Sequence, residues 1–171
     1  MDDEENKATI KILVLGPQKA GKTTLTKFLS EYIEEPQTTI GKGNDSKKLE
    51  FDLGGEYRPT KGVRIEELES YEFFSVEDRE TFQKMDRKLN FDIQIWDVSG
   101  DSKFEECWPA IKDGSHGVIL VANPEVHQGK DLLPWYREFV ERENIDLRCV
   151  MVLLNEQGPK NTNHEMVSAF E

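Results

Sequence analysis

Apolar positions along this chain fall into two alternating rhythms. The run Ile10-Lys11-Ile12-Leu13-Val14-Leu15 is apolar almost throughout, as a strand covered on both faces requires. After a short turn, Leu25, Phe28 and Leu29 stand at helical spacing. The stretch from about Gln37 to Arg58 is polar, rich in Gly, Lys and Asp, and reads as a long loop. Val63 and Ile65 open a second strand that reaches about Phe74. A charged connector, Ser75 to Leu89, carries Phe82, Met85 and Leu89 at helical spacing. Phe91, Ile93 and Ile95 then alternate with Asp92, Gln94 and Trp96, which predicts a strand pairing antiparallel with the second. Gly117–Ala122 and Val150–Leu154 are continuous apolar runs, hence buried strands. Between them Leu132, Leu133, Trp135, Tyr136, Phe139 and Val140 suit a helix. Strands interleaved with helices predict an α/β fold: a mostly parallel sheet with one antiparallel edge strand and helices on both faces.

Length and charge narrow the picture. At 171 residues the chain suits one domain, 1–171, with a genuine hydrophobic core and with 36–58 and 75–89 as loop insertions. A formal net charge of −12 and a pI near 4.8 argue against nucleic acid as a partner, since that contact needs a basic face. The same charge disfavours anionic membranes. Asp2-Asp3-Glu4-Glu5 reads as a solvated tail. No apolar stretch approaches a membrane span, and the end Val167-Ser168-Ala169-Phe170-Glu171 has no prenylatable cysteine, so no direct membrane anchor and a cytoplasmic setting are expected. Cys107 and Cys149 fall in predicted helical and strand segments, where reduced core thiols are expected.

The candidate chemistry sits first in the octapeptide Gly16-Pro17-Gln18-Lys19-Ala20-Gly21-Lys22-Thr23, which fits the phosphate-binding pattern G-x-x-x-x-G-K-[ST] without mismatch. A chance match in such a chain has odds of roughly one in a few hundred, and the flanking strand and helix make it rarer. Gly16 and Gly21 let the backbone wrap closely, so that the N–H groups of Lys19, Ala20, Gly21, Lys22, Thr23 and Thr24 can cradle phosphate oxygens at a helix N-terminus. Lys22 would neutralise β- and γ-phosphate charge, and the Thr23 hydroxyl would ligate Mg²⁺. A second element is Trp96-Asp97-Val98-Ser99-Gly100. Asp97, at a strand tip, would organise the Mg²⁺, and the Gly100 N–H would approach the γ-phosphate. A third is a threonine leading into the second strand. Thr60 does so directly, whereas Thr39 runs into Gly41-Lys42-Gly43, so Thr60 is taken as the metal- and γ-phosphate-sensing residue. The implied ligand is a nucleoside triphosphate with Mg²⁺.

These residues resemble the Ras-like small GTPases, and within them the Rab-like branch that serves the intraflagellar transport B complex. Gly16–Leu29, Tyr57–Ile65 and Trp96–Ala110 carry the resemblance, above all Phe104-Glu105-Glu106-Cys107-Trp108-Pro109. His116-Gly117-Val118 and Trp135-Tyr136 extend it. The resemblance implies GTP or GDP with Mg²⁺ as cofactors and a nucleotide-dependent module whose partners are the coiled-coil subunits of the transport core, located at the cilium or flagellum and its base. It adds Tyr57 and Asn155 to the nucleotide contacts. By the same comparison the last strand and helix of the fold are missing from the chain.

Three departures from that pattern matter. Asp101 stands where the family places a Gln that orients the attacking water. An ionised carboxylate only accepts hydrogen bonds and adds charge beside an anion. Gln18 is bulky at a loop position where a partner's arginine would enter. Hydrolysis is therefore expected to be slow or lost, with Thr60 and Asp101 as the residues nearest the chemistry. The alternative is an actively cycling GTPase. The base-reading sequence N-K-x-D is replaced by Asn155-Glu156-Gln157-Gly158, so Gly158 stands in place of a carboxylate and a phosphate-loop binder with relaxed base specificity is a further alternative.

Overall fold

The computed structural model describes residues 8–34, 58–69 and 91–156. Among these, five strands form one sheet: β1 (Ala8–Leu15), β2 (Val63–Glu69), β3 (Phe91–Val98), β4 (Gly117–Ala122) and β5 (Val150–Leu154), in spatial order β2-β3-β1-β4-β5. β1 pairs parallel with both β3 and β4, and β4 parallel with β5. β2 runs antiparallel to β3, with Val63 opposite Val98 and Ile65 opposite Trp96. The mixed sheet read from the apolar pattern is the sheet observed.

The near-continuous apolar character of β1 has a simple cause: both of its faces are covered. Leu13 and Leu15 turn to one side, into a cluster with Val98, Val118, Leu120, Leu132, Trp135 and Phe139. Val14 turns to the other, with Ile93, Ile95, Val121 and Ala20. Fully burying a side chain such as Phe139 is worth about 1.5–3 kcal/mol, so a polar residue at these positions would open the sheet.

Three α-helices lie among the described residues: α1 (Lys22–Glu34), α2 (Trp108–Lys112) and α3 (Gly129–Tyr136). Reciprocal bonds between Gln128 and Asp131 cap the start of α3. Pro134 brings no N–H to this helix, and beyond it the turns widen over Arg137–Glu141, where the Arg142 N–H reaches the Arg137 carbonyl at 3.1 Å. The widened turn still buries Phe139 and Val140.

Three details differ from expectation. β3 runs on to Val98, one residue past Asp97, the residue expected at its tip. Cys107 and Cys149 are exposed, not core thiols. Cys107 ends a 3₁₀ turn, Ser102–Cys107, that buries none of its residues, and Cys149 closes a second such turn, Leu147–Cys149, just ahead of β5. The continuation of the second strand to Phe74, the pattern at Phe82, Met85 and Leu89, and nearly all of both insertions lie outside the described residues.

Candidate functional site

The parallel strands all end at one edge of the sheet, and β1 lies between β3 and β4, where the connections leave in opposite directions along the sheet. Such a switch point is where an open α/β sheet offers a crevice. The loop from Gly16 to Gly21 leaves β1 at this point and feeds α1, whose first turn is closed by the Leu25 N–H on the Gly21 carbonyl at 2.9 Å. Gly16 has φ +141°, and a Cβ there would lie 2.1 Å from the Val121 carbonyl oxygen, so only glycine lets the chain pass β4. Lys22 crosses under the loop. Its Nζ donates to the carbonyls of Gly16 and Pro17, both at 2.8 Å, and the residue is only 6% exposed. Burial pushes its pKa down to about 8, against the pull of the nearby Asp97 carboxylate. A cation held in so dry a place is stabilised by any anion that enters beside it.

Three oxygens converge next to it. Thr23 Oγ1 donates to Asp97 Oδ2 at 2.6 Å, Thr60 Oγ1 reaches the same oxygen at 3.1 Å, and the two hydroxyls are 2.9 Å apart. Residues 37 and 74 positions apart in the sequence thus meet in one polar knot. Asp97 is fully buried, and its other oxygen, Oδ1, has no hydrogen-bond partner among the described residues. An orphaned buried carboxylate oxygen beside two hydroxyls is a hard-oxygen donor set of the kind Mg²⁺ takes alongside phosphate and water. Thr23, Thr60 and Asp97 could hold that ion.

The turn after β3 closes the cup. A Cβ on Gly100 would lie 2.5 Å from both the Gln18 nitrogen and the Pro17 carbonyl carbon, so this turn packs directly on the loop. The Ser99 N–H donates to the Gly62 carbonyl at 2.8 Å, which ties the segment carrying Thr60 to the segment carrying Gly100. Ala20 is buried, Thr23 half-buried, and Thr24 exposed on the first turn of α1.

Asp101 has a different engagement. Its Oδ1 accepts the Lys103 N–H at 3.1 Å, and its Oδ2 pairs with the Lys103 ammonium. These contacts, the side-chain bond first, hold its carboxyl below the usual range, and it acts as the cap of the Ser102–Cys107 turn. Trp108 packs inward against Trp135 and Phe139 with ring centroids 4.9 and 5.2 Å away. Phe104 is half-buried beneath the Lys103 ammonium.

At the other side of the cup, Asn155 points back to the loop: its Nδ2 donates to the Ala20 carbonyl at 3.1 Å. Its position therefore braces the phosphate cradle. Sequence reasoning missed His127, whose Nε2 lies 2.9 Å from the Gln18 carbonyl, and Asn123, which holds that ring in place. The Asn123-Pro124 turn signal was available; the long-range contact was not. Tyr57, Thr39 and Gly158 lie outside the described residues.

Comparison with known proteins adds a second line of observation. A family model described as "Ras of Complex, Roc, domain of DAPkinase" matches residues 55–157, more than half of the chain. Intraflagellar transport associated protein 2 of Caenorhabditis elegans is 56% identical over 174 residues, which cover 99% of this chain and 69% of that protein. The intraflagellar transport protein 22 homolog of Danio rerio is 32% identical over 151 residues, covering 87% of this chain and 67% of that one. The chain thus spans about two thirds of the length of these relatives. Among solved structures, the "T. brucei IFT22/74/81 GTP-bound crystal structure" matches with a TM-score of 0.52 at 26% identity, over 96% of this chain and 91% of that one.

Proposed function

The chain belongs to the Ras-like small GTPases, in the intraflagellar transport protein 22 family, and we propose that it binds GTP with Mg²⁺ as a switch-type subunit of the intraflagellar transport machinery and turns the nucleotide over slowly or not at all. The observation that carries the reading is the knot of Thr23, Thr60 and Asp97 beside the buried Lys22. Lys22 lends its charge to the β- and γ-phosphates. The amides from Lys19 to Thr24 surround them, and Thr23 and Thr60 offer hydroxyl oxygens to the metal. Asp97 would help to hold the metal through the oxygen that has no other partner among the described residues. Mg²⁺, when bound, offsets the negative charge of the phosphates.

Slow turnover follows from Asp101. It has no N–H to give to a γ-phosphate oxygen or an attacking water, and Lys103 holds its carboxylate in the turn that follows. Tyr57 is assigned to the nucleotide contacts on resemblance alone. Partner choice follows the relatives: the matched solved structure is a complex with subunits 74 and 81, and the coiled-coil subunits of the transport core are the proposed partners here, at the cilium or flagellum. Thr60 and Gly100 are the levers through which a γ-phosphate would order the partner-facing segments, linked by the Ser99–Gly62 backbone bond.

A single-turnover assay with γ-labelled GTP tests the central point. The expected result is a bound triphosphate that persists, and a rate equal to that of partner-stimulated GTPases overturns it. Mass analysis of the nucleotide that co-purifies tests base identity. A second reading, a binder that also accepts ATP, is favoured by Gly158 at the carboxylate position.

A further inference from the structure

We propose that His127 is a positioning residue for the phosphate loop: it holds the Gln18–Lys19 peptide so that its N–H faces the anion cup. The proposal rests on the nucleotide reading above. A trans peptide is planar, so its carbonyl and its N–H point to opposite sides. His127 Nε2 sits 2.9 Å from the Gln18 carbonyl oxygen, on the outer side of the loop. The Lys19 N–H of the same peptide is thereby turned the other way.

Which nitrogen carries the proton follows from the neighbours. Nδ1 accepts the Asn123 backbone N–H at 3.1 Å, so in the neutral ring the proton resides on Nε2, which donates to Gln18. The ring is itself well held. The His127 backbone N–H returns to the Asn123 carbonyl at 2.8 Å, and Asn123 Oδ1 takes the Glu125 N–H at 2.9 Å. Asn123 is buried and directly follows β4, so the imidazole arm is mounted on the central sheet.

The loop has a reason to need this arm. Lys19 has φ +63°, a left-handed conformation that a residue with a side chain adopts at a cost. Flipping the Gln18–Lys19 peptide would return Lys19 to negative φ and present a carbonyl, instead of an N–H, to an incoming anion. Four other loop carbonyls are also restrained: Gly16 and Pro17 by Lys22, Ala20 by Asn155, Gly21 by the first turn of α1. His127 restrains Gln18 in the stretch between the Lys22 and Asn155 holds.

Two substitutions separate this role from a merely structural one. An asparagine reaches only the Nδ1 position, so His127→Asn keeps an acceptor for the Asn123 N–H and loses the arm to Gln18. A glutamine reaches the Nε2 position, so His127→Gln keeps the arm. Thermal melts of the ligand-free chain check that both fold. The expected result is GTP affinity about three- to tenfold weaker in His127→Asn, the size of one lost hydrogen bond, and within about threefold of wild type in His127→Gln. The Lys19 amide resonance of the ligand-free protein should move in His127→Asn and return in His127→Gln. An unmoved Lys19 amide with wild-type affinity in His127→Asn overturns the proposal, as does equal loss in both variants. Failure of the nucleotide reading looks different: the wild-type chain takes up no GTP in Mg²⁺ buffer, while the Lys19 amide still responds to His127→Asn alone.

Discussion

The two ends of the candidate nucleotide cleft are built to different standards. At the phosphate end, polar groups are buried and interlocked: Asp97 is fully covered, Lys22 and Ser99 nearly so; Asp97 and Ser99 bond to segments far away in sequence, and Lys22 to the carbonyls of its own loop. At the opposite end, β5 lies at the sheet edge among the described residues with Met151 57% and Val152 45% exposed, and one N–H of the Asn155 amide is taken by the Ala20 carbonyl. A buried charge is costly unless an opposite charge joins it, so the first end gains a great deal from an anion. The second has little such tension to relieve. Affinity in this chain should therefore depend on phosphates and their metal far more than on the identity of the base.

The largest break in that comparison comes from the phosphate end. Lys22→Ala removes the buried ammonium and leaves two loop carbonyls without their donor. GTP affinity should fall about 100-fold or more, as when a buried charge loses its partner, while circular dichroism of the ligand-free chain stays close to wild type. Calorimetric titration in Mg²⁺ buffer reads the first and a melting curve the second. Gly100→Ala comes next. Its methyl would meet the Gln18 nitrogen and the Pro17 carbonyl carbon at 2.5 Å, both backbone atoms that cannot swing aside. Overpacking of this kind typically costs about 1–3 kcal/mol, so triphosphate binding should weaken about tenfold or more.

A change of pH sharpens the comparison without a mutation. The Lys22 pKa is lowered from 10.5 to about 8 by burial. Between those values the unfolded chain holds a proton that the folded chain has released, so the stability of the ligand-free protein should rise with pH, by up to about 1.4 kcal/mol per unit. Binding has the opposite sign. Bound phosphate favours the charged ammonium, and the terminal phosphate is already ionised in this range. Affinity should thus fall as pH climbs above about 8, by at most tenfold per unit. Melting and titration series over the same buffers should diverge, and in Lys22→Ala both slopes should flatten.

How much of this could be read in advance depended on distance along the chain. The phosphate loop was legible because its chemistry is contiguous, eight residues between a strand and a helix. The sheet was legible because a strand covered on both faces, such as β1, admits almost only apolar residues, and one covered unevenly, such as β3, alternates. Thr60 and Asp97 could be nominated because each lies where a strand begins or ends. His127 could not, since its partner carbonyl lies 109 positions away and a lone histidine before a helix has many ordinary explanations. The two cysteines were misjudged because each lies in a turn just ahead of a regular element and not inside it. Cys149 falls one residue short of β5, in a turn, and a strand interior buries side chains where a turn exposes them.

The smallest predicted effect tests the comparison most directly. In a site that reads its base through Asn155, truncating that residue would weaken GTP and GDP while sparing ATP. Here its Nδ2 bonds the loop, and the Asn155 backbone N–H is committed to the Ala122 carbonyl at 2.8 Å. Asn155→Ala frees the Ala20 carbonyl and loosens the cradle for any nucleotide tail. The expected loss is about three- to tenfold, the size of one hydrogen bond, and by the same factor for GTP, GDP and ATP. Competition titrations with the three nucleotides measure it. A loss confined to the guanine nucleotides would show that Asn155 reads the base after all, and that the two ends of the cleft share the work of recognition.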